Sequence, residues 1–229
     1  RMTTRRSNPI FKGRIEELRK NAFKKMINTE WPWTNMISLL KKFEKRKKIK
    51  ILEIGCGAGC NIPFFLKEKN LYVYYAIDDN KYWIRNLKKK YPKIKKNLFC
   101  GNFLNYSFNQ KFDVILDRCS MTHNSEENIV SGLGNLRKFL NKKGLYVGLN
   151  WWSSKHCDCK KANYYESKIF QEGHFAGVSG VYFSNKKQML KFFKSWRILH
   201  LSENITKLEH LKKNEMTASW DVVAEKRKI

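Results

Sequence analysis

The sequence is poor in acidic residues and has no long apolar run. It holds 20 Asp and Glu against 47 Lys and Arg in 229 residues, which gives a formal net charge of +27. No apolar stretch approaches the roughly 18 residues that a membrane-spanning helix needs, and no apolar signal segment follows the N-terminus. Apolar residues nevertheless make up 42% of the chain, which is too many for a disordered one. These features predict one folded domain in the cytoplasm, without a membrane span.

Cysteine spacing of the kind that marks a disulfide framework is also missing. The six cysteines are scattered along the chain, so we expect them to be reduced thiols. The segment His156-Cys157-Asp158-Cys159 has the residue types of metal ligands. It lacks the second ligand pair of a usual zinc site, so no metal is predicted.

The excess of positive charge has two interpretations. A basic surface commonly binds nucleic acid, anionic lipid or an acidic substrate. However, the chain has 36 Lys and only 11 Arg, and Arg is the residue that bidentate phosphate recognition prefers. The charge is also dispersed, with 16 Lys and Arg in residues 1–50 and seven in residues 85–96. A compositional bias is therefore favoured, and a nucleic-acid partner stays open.

The chain is organised around a glycine-rich loop. Residues 49–54 form an apolar, β-branched run that predicts a buried strand, with Glu53 near its end. Gly55, Gly57 and Gly59 follow at alternate positions, and a helix is expected directly after them. Glycine permits positive φ and lets backbone N–H groups approach a ligand, while the helix N-terminus adds free donors. The pattern predicts a nucleotide-type cradle, although such turns also occur as plain connections.

The glycine spacing discriminates between ligands. Dinucleotide sites have G-x-G-x-x-G, whereas this loop has G-x-G-x-G with Glu53 two residues ahead. The loop resembles motif I of the class I S-adenosylmethionine-dependent methyltransferases, whose ligand has no phosphate. Together with Asp78, the Gly101-Asn102 turn and the apolar run Phe112–Asp117, the resemblance covers most of the chain and points to the small-molecule branch.

The order of predicted elements agrees with that family. Strand patterns alternate with helix patterns through residue 151, which predicts a parallel sheet with helices on both faces. A helix over residues 184–193, with Ser184 as its N-cap, and a final antiparallel strand pair follow. We therefore expect an α/β fold with a doubly wound, mostly parallel seven-stranded sheet, the Rossmann-like methyltransferase fold. Residues 1–48 are assigned to an N-terminal helical lid and residues 49–229 to the methyltransferase domain.

The resemblance implies S-adenosylmethionine as cofactor and S-adenosylhomocysteine as its product. Asp78 follows the glycines by about twenty residues, where doubly wound folds hold ribose hydroxyls with a carboxylate, although strand-end acids also serve as caps. Asn102 stands where the family often has an acid that holds the adenine amino group. Asp117 is expected under the methionine end, through its side chain or its backbone. The implied cofactor residues are Trp33, Glu53, Gly55, Cys56, Gly57, Asn61, Ile62, Asp78, Asp79, Asn102, Phe103, Asp117 and Arg118.

Candidate catalytic and substrate residues come from the segments around the loop. His123 follows the fourth strand at the carboxyl edge of the sheet, where an imidazole is the leading general base for an oxygen nucleophile or else a residue bonded to backbone. Trp31 and Trp33 flank Pro32 in a break of the N-terminal helix and are lid residues or core anchors. Substrate contacts are predicted for Trp31, Thr122, Asn150, Trp151, His156 and His174.

Three functions remain open from the sequence. The favoured one is transfer of a methyl group to a small molecule, at an oxygen of a sugar, a sugar acid or a specialised metabolite. An RNA methyltransferase is supported by charge alone, and residues 117–120 do not match the Asn-Pro-Pro-Tyr-type motif of base-directed enzymes. A catalytically inactive cofactor-binding subunit is the third. The oligomeric state is not predicted.

Overall fold

The computed structural model describes residues 32, 34–46, 48–160, 175, 180–207, 209 and 215–227. Its helices are α1 (Thr34–Phe43), α2 (Ile62–Lys67), α3 (Lys81–Lys90), α4 (Glu126–Lys138) and α5 (Lys186–Phe192). Its strands are β1 (Ile49–Ile54), β2 (Tyr72–Asp78), β3 (Leu98–Cys100), β4 (Phe112–Arg118), β5 (Leu140–Trp152), β6 (Trp196–Lys207) and β7 (Met216–Lys226). Most of the predicted lid, residues 1–31, lies outside the described residues. No described helix combines the length and the hydropathy that crossing a bilayer requires.

The seven strands form one sheet in the order β3-β2-β1-β4-β5-β7-β6. Neighbouring strands run parallel from β3 to β5, and β7 runs antiparallel to both β5 and β6. Since β1 lies between β2 and β4, the strand order reverses at β1. Open α/β sheets bind ligands at the carboxyl ends of the strands beside such a reversal. The predicted seven-stranded sheet is confirmed, and its switch point coincides with the glycine loop.

Helices cover both faces of the sheet because successive side chains of a strand point to opposite sides. On one face, Ile51 of β1 belongs to a core cluster that includes Leu40 of α1 and residues of α2 and α3. On the other face, Leu52 packs in a cluster with Leu133 of α4 and Phe192 of α5. Burial of each such side chain contributes roughly 1.5–3 kcal/mol. The two cores hold β1 rigidly beneath the loop.

The N-cap of α5 is Asn185, so the prediction of Ser184 was wrong. The Asn185 side chain accepts the Gln188 N–H, and the Gln188 side chain accepts the Asn185 N–H, which forms a reciprocal capping box. Ser184 is fully buried, and its carbonyl accepts a hydrogen bond from Trp220 Nε1 at 2.9 Å. Asn185 is the N-cap because Gln188, three residues later, forms the second hydrogen bond of the capping box.

Candidate functional site

The glycine loop has left-handed backbone at all three glycines. The φ angles of Gly55, Gly57 and Gly59 are +63°, +51° and +77°. A Cβ on Gly55 would overlap the Ser120 hydroxyl, and one on Gly59 would lie 2.7 Å from the Ile62 side chain. A Cβ on Gly57 would meet no atom within 4 Å. Packing therefore requires glycine at the two outer positions, whereas Gly57 faces open space.

Asp78 borders that open space from the end of β2. Its Oδ2 accepts the Gly57 N–H at 2.8 Å, and its Oδ1 accepts the Asn80 N–H at 2.9 Å. Burial raises the pKa of Asp78 above its ordinary value, and the two N–H donors oppose that rise. Asp79 is exposed. The Gly57 amide is thus already paired with a carboxylate, which makes the rim of the loop a poor place for a phosphate.

Glu53 lies buried beneath the loop and contacts protein groups. Its Oε1 accepts a bond from Asn61 Nδ2 at 2.9 Å, and its Oε2 accepts one from the Tyr74 hydroxyl at 2.5 Å. Burial raises the pKa of Glu53 to about 7, although both hydrogen bonds act to lower it. Asn61 directly precedes α2. The pair therefore ties the end of β1 to the start of α2 and fixes the loop between them.

A second loop, after β4, is pinned onto the first. The Ser120 hydroxyl is 3.0 Å from the Ile54 carbonyl oxygen, to which it donates. The Ser120 N–H donates in turn to Asp117 Oδ1 at 2.8 Å. The carboxyl ends of β1 and β4 are thereby held side by side at the switch point.

Asp117 has its carboxylate turned into the core. Besides Ser120, Oδ1 accepts the Met121 N–H at 3.2 Å, and Oδ2 accepts bonds from the Tyr146 hydroxyl at 2.7 Å and from Trp151 Nε1 at 2.6 Å. Burial raises its pKa, and these donors oppose the rise. We expected the Asp117 side chain or backbone to contact the cofactor. For the side chain this expectation is corrected, because the Asp117 carboxylate is buried and accepts hydrogen bonds from four protein donors. Its backbone still lies at the end of β4.

His123 forms a neutral pair with Cys119. Its Nδ1 lies 3.2 Å from the Gly180 carbonyl oxygen, and its Nε2 lies 3.8 Å from the Cys119 sulfur. A carbonyl only accepts, so Nδ1 carries the proton and Nε2 accepts from the thiol. Burial lowers the pKa of His123 to about 4 and raises that of Cys119 to about 12. At pH 7 the pair is therefore an imidazole and a thiol, not an ion pair.

Three side chains predicted to touch the substrate lie in the core instead. Thr122 and Trp151 have no exposed surface, and the Thr122 hydroxyl donates to the Tyr182 carbonyl at 2.7 Å. His156 is 1% exposed and sits among aromatic rings. Those rings belong to Trp152, Phe175 and Phe183. Thr122, Trp151 and His156 therefore take part in core packing and internal hydrogen bonds.

The other predicted site residues occupy varied positions. Asn150 is half-buried with φ +55°, and its N–H donates to Asp221 Oδ1 at 3.0 Å. Asn102 is exposed, and its Oδ1 accepts the Leu104 N–H at 2.9 Å. The side chains of Cys56 and Ile62 are buried, whereas those of Phe103 and Arg118 are half-buried. Three predicted residues lie outside the described part of the chain: Trp31, Trp33 and His174.

The segment that forms most of this site matches a known protein family. Residues 51–144 match the family described as methyltransferase domain. The matched segment runs from β1 into β5 and includes the glycine loop, Asp78 and His123. This segment of the chain is therefore similar to a methyltransferase domain.

Similar proteins share parts of this chain. An uncharacterised protein of Methanocaldococcus jannaschii is 33% identical over 110 residues, which are 48% of this chain and 44% of that relative. A solved S-adenosylmethionine-dependent methyltransferase of Clostridium acetobutylicum is 14% identical, with a TM-score of 0.62 and 96% and 99% of the two chains covered. The N-methyltransferase NodS of Bradyrhizobium japonicum, solved with S-adenosylhomocysteine, is 13% identical, with a TM-score of 0.60 and 91% and 98% covered. At these identities the solved structures show the shared fold.

The residues around the glycine loop fit S-adenosylmethionine, the cofactor that the similarity to methyltransferases implies. The open space at Gly57 lets backbone approach a ligand that any Cβ would push away. Asp78 offers carboxylate oxygens there, which suit the hydroxyl donors of a ribose. The Asp78 carboxylate also adds negative charge beside the loop, which disfavours a pyrophosphate and favours a sulfonium.

The cluster of His156, Cys157 and Asp158 is a weak candidate for a metal site. Ligand atoms of His156, Cys157 and Asp158 lie within 4.8 Å of one another. However, the Nδ1 of His156 accepts the Asp158 backbone N–H at 3.1 Å. That lone pair is thus engaged in a local turn, and a metal at Nδ1 would have to break the hydrogen bond.

Sequence reasoning missed several residues of this site. Tyr74 had a usable signal, because a tyrosine inside a buried strand needs a partner for its hydroxyl and Glu53 is the acid of the adjacent strand. Ser120 and Cys119 had none, since their contacts are set by the turn after β4. Cys119 adopts φ +61° there, a conformation that its residue type does not predict.

Proposed function

We propose that this chain transfers a methyl group from S-adenosylmethionine to an oxygen atom of a small-molecule acceptor. The observation that carries the proposal is the open space at Gly57, bordered by the Asp78 carboxylate at the switch point of the sheet. Such a place accepts a ligand with donor hydroxyls and positive charge. The chain spans 44% of the length of its Methanocaldococcus relative, so we infer the activity and the acceptor from this chain's own residues.

The cofactor contacts follow from acceptors that the loops leave accessible. The Asp78 oxygens have lone pairs beyond those that bind Gly57 and Asn80, so they can accept from ribose hydroxyls. The Asn102 Oδ1 has a second lone pair for the adenine amino group. The backbone of Gly55 and Arg118, at the ends of β1 and β4, bounds the methionine end. When bound, S-adenosylmethionine supplies a methyl group on a positively charged sulfonium, which is a good leaving group.

His123 is the proposed general base for the acceptor. Its Nε2 lone pair points at the Cys119 thiol, which a substrate hydroxyl would replace. A pKa of about 4 keeps the imidazole neutral at pH 7, so it is ready to accept a proton. Such a weak base works best on an acceptor that is itself acidic.

An RNA acceptor is the second candidate, and the net charge of +27 is the observation that favours it. A cluster of cations on α3 lies at the β3 end of the sheet, however, whereas His123 follows β4. The cations therefore do not converge on the proposed base. A catalytically inactive subunit is disfavoured because the loop, Asp78 and the His123 lone pair are all in place.

A cytoplasmic site of action completes the proposal. All six cysteines are free thiols. Free thiols at this number are typical of a reducing compartment. Measurement of free thiols in protein purified under air-free conditions would test this part, and disulfide-linked cysteines would contradict it.

Calorimetric titration with S-adenosylmethionine, in parallel with NAD, tests the donor. We expect binding of the first and not of the second. The variant Asp78→Asn should weaken binding about 10- to 100-fold, since hydrogen bonds to a charged group contribute about 1.5–3 kcal/mol. Glu127→Gln, which removes an exposed acid on α4, is the matched control and should bind like the wild type. Absence of S-adenosylmethionine binding would refute the proposal. Radiolabelled methyl transfer to sugar acids, sugars and RNA would then rank the acceptors.

A further inference from the structure

A basic groove lies outside the site described above. Helix α3 and the end of β3 border a shallow, open groove of about 430 Å³. We call it the α3 groove. It is lined by Lys81, Ile84, Arg85, Lys88, Lys89 and Cys100. Four of these six residues are cationic, so the groove is strongly positive.

The cations of the α3 groove are not neutralised by the described part of the chain. The ion pairs in the described part of the chain involve basic residues outside the groove. These residues lie on β6, on α5 and in the loops after α1 and β5. Residues 80–112 contain nine Lys and Arg and no Asp or Glu. The charge of the groove therefore extends over the neighbouring surface, which includes Lys93, Lys95 and Lys96 on the turn before β3.

The spacing of these cations is unfavourable for the protein alone. Lys81 and Arg85 stand four residues apart on α3, as do Arg85 and Lys89, and like charges at that spacing repel on one helix face. Lys81 and Lys88 are about 10 Å apart along the axis, given a rise of about 1.5 Å per residue. A ligand with several negative charges at similar spacing would relieve the repulsion. The Tyr82 ring, 62% exposed beside the groove, offers a surface on which a base can stack.

We propose that the α3 groove binds the phosphate backbone of single-stranded RNA. Repeated phosphates match a row of cations along a helix, and an exposed aromatic ring suits unpaired bases. A membrane surface fits less well, because surfaces that bind membranes add inserted apolar side chains to their positive charge. The strongly exposed large apolar residues of the described chain, apart from Tyr82, lie on other elements. This binding is independent of the methyl acceptor, since the groove lies at the β3 edge of the sheet and His123 follows β4.

Fluorescence anisotropy with a labelled oligouridine, measured over a salt series, tests the inference. The triple variant Arg85→Ala, Lys88→Ala, Lys89→Ala removes three groove cations. The matched control Lys186→Ala, Lys187→Ala, Lys194→Ala removes three exposed lysines in and just after α5. Thermal melting of both variants checks that they fold.

Loss of three phosphate contacts should weaken binding up to about 50-fold at about 0.15 M salt and reduce the slope of log K against log salt by about 2. The control should bind nearly as well as the wild type. Equal losses in the two triple variants would overturn the assignment to this groove, because they would indicate only a general effect of charge. Wild-type binding to phosphatidylserine vesicles but not to oligouridine would overturn it in favour of a membrane surface.

Discussion

Replacing Gly57 by alanine tests the assignment of the glycine loop. Gly57 has φ +51°, and a Cβ there would meet no atom within 4 Å. The protein alone thus loses only the cost of a left-handed alanine, about 1–2 kcal/mol, which lowers the melting temperature by roughly 2–8 °C for a chain of this size. In the complex, the same methyl group enters the space of the ligand, and overpacking of this kind costs about 1–3 kcal/mol. We expect the affinity for S-adenosylmethionine to fall about 5- to 150-fold.

Titration calorimetry gives the affinity of this variant, and thermal melting gives its stability. Gly134→Ala is the matched control, because a Cβ at Gly134 also meets no atom within 4 Å but the residue lies inside α4. It should bind S-adenosylmethionine normally and gain about 0.5–1 kcal/mol of stability from helix propensity. Gly55→Ala should destabilise the fold far more than Gly57→Ala, because its Cβ overlaps Ser120. Wild-type affinity in a folded Gly57→Ala protein would show that the cofactor lies elsewhere.

Three further variants test the groups around the loop. The pKa of Glu53 rises from 4.5 to about 7 on folding, so the folded state binds more protons in that window and stability falls as pH rises through it. Glu53→Gln should remove this dependence, and denaturant titrations should show the stability gap between variant and wild type changing by up to about 3 kcal/mol from about pH 5 to about pH 8; a constant gap would contradict the shift. His123→Ala should keep cofactor affinity but lose about 100-fold or more in turnover, whereas unchanged turnover would exclude it as the base. Ser120→Ala should lower the melting temperature by roughly 2–4 °C, because the bond to the Ile54 carbonyl contributes about 1 kcal/mol; an unchanged melting temperature would count against that contribution.

The fold was predictable because its signals are local. Alternating strand and helix patterns, with the glycines after β1, are enough to predict a doubly wound sheet and its switch point. The direction of Trp151 was not predictable in this way. The pairing of β5 with β7 shifts between Gly148 and Trp151, and Asn150 adopts φ +55° within that irregularity. A single irregular residue reverses which face a side chain takes, so Trp151 turns inward to Asp117.

The environment of His123 could not be predicted from a sequence pattern either. Its position after β4 follows from topology, and this part of the prediction needs only the strand order. Its basicity depends on burial and on Gly180, which is 57 residues further along the chain. Such contacts arise from tertiary packing, which no spacing near His123 encodes. The sequence therefore predicts the position of His123 but not its lowered pKa.

The distribution of acids explains how so basic a chain can suit a cationic cofactor. Glu53, Asp78 and Asp117 stand at the carboxyl ends of β1, β2 and β4, which meet at one edge of the sheet. Burial raises the pKa of all three, and each is compensated by hydrogen-bond donors. A phosphate at this edge would add to the negative charge of the Asp78 carboxylate, whereas a sulfonium opposes it. The cations that line the α3 groove lie at the β3 edge instead. Because buried charges are screened less than exposed ones, we expect salt to affect S-adenosylmethionine binding weakly and oligouridine binding steeply. Titrating both ligands over the same salt series would test this separation, and equal salt slopes would contradict it.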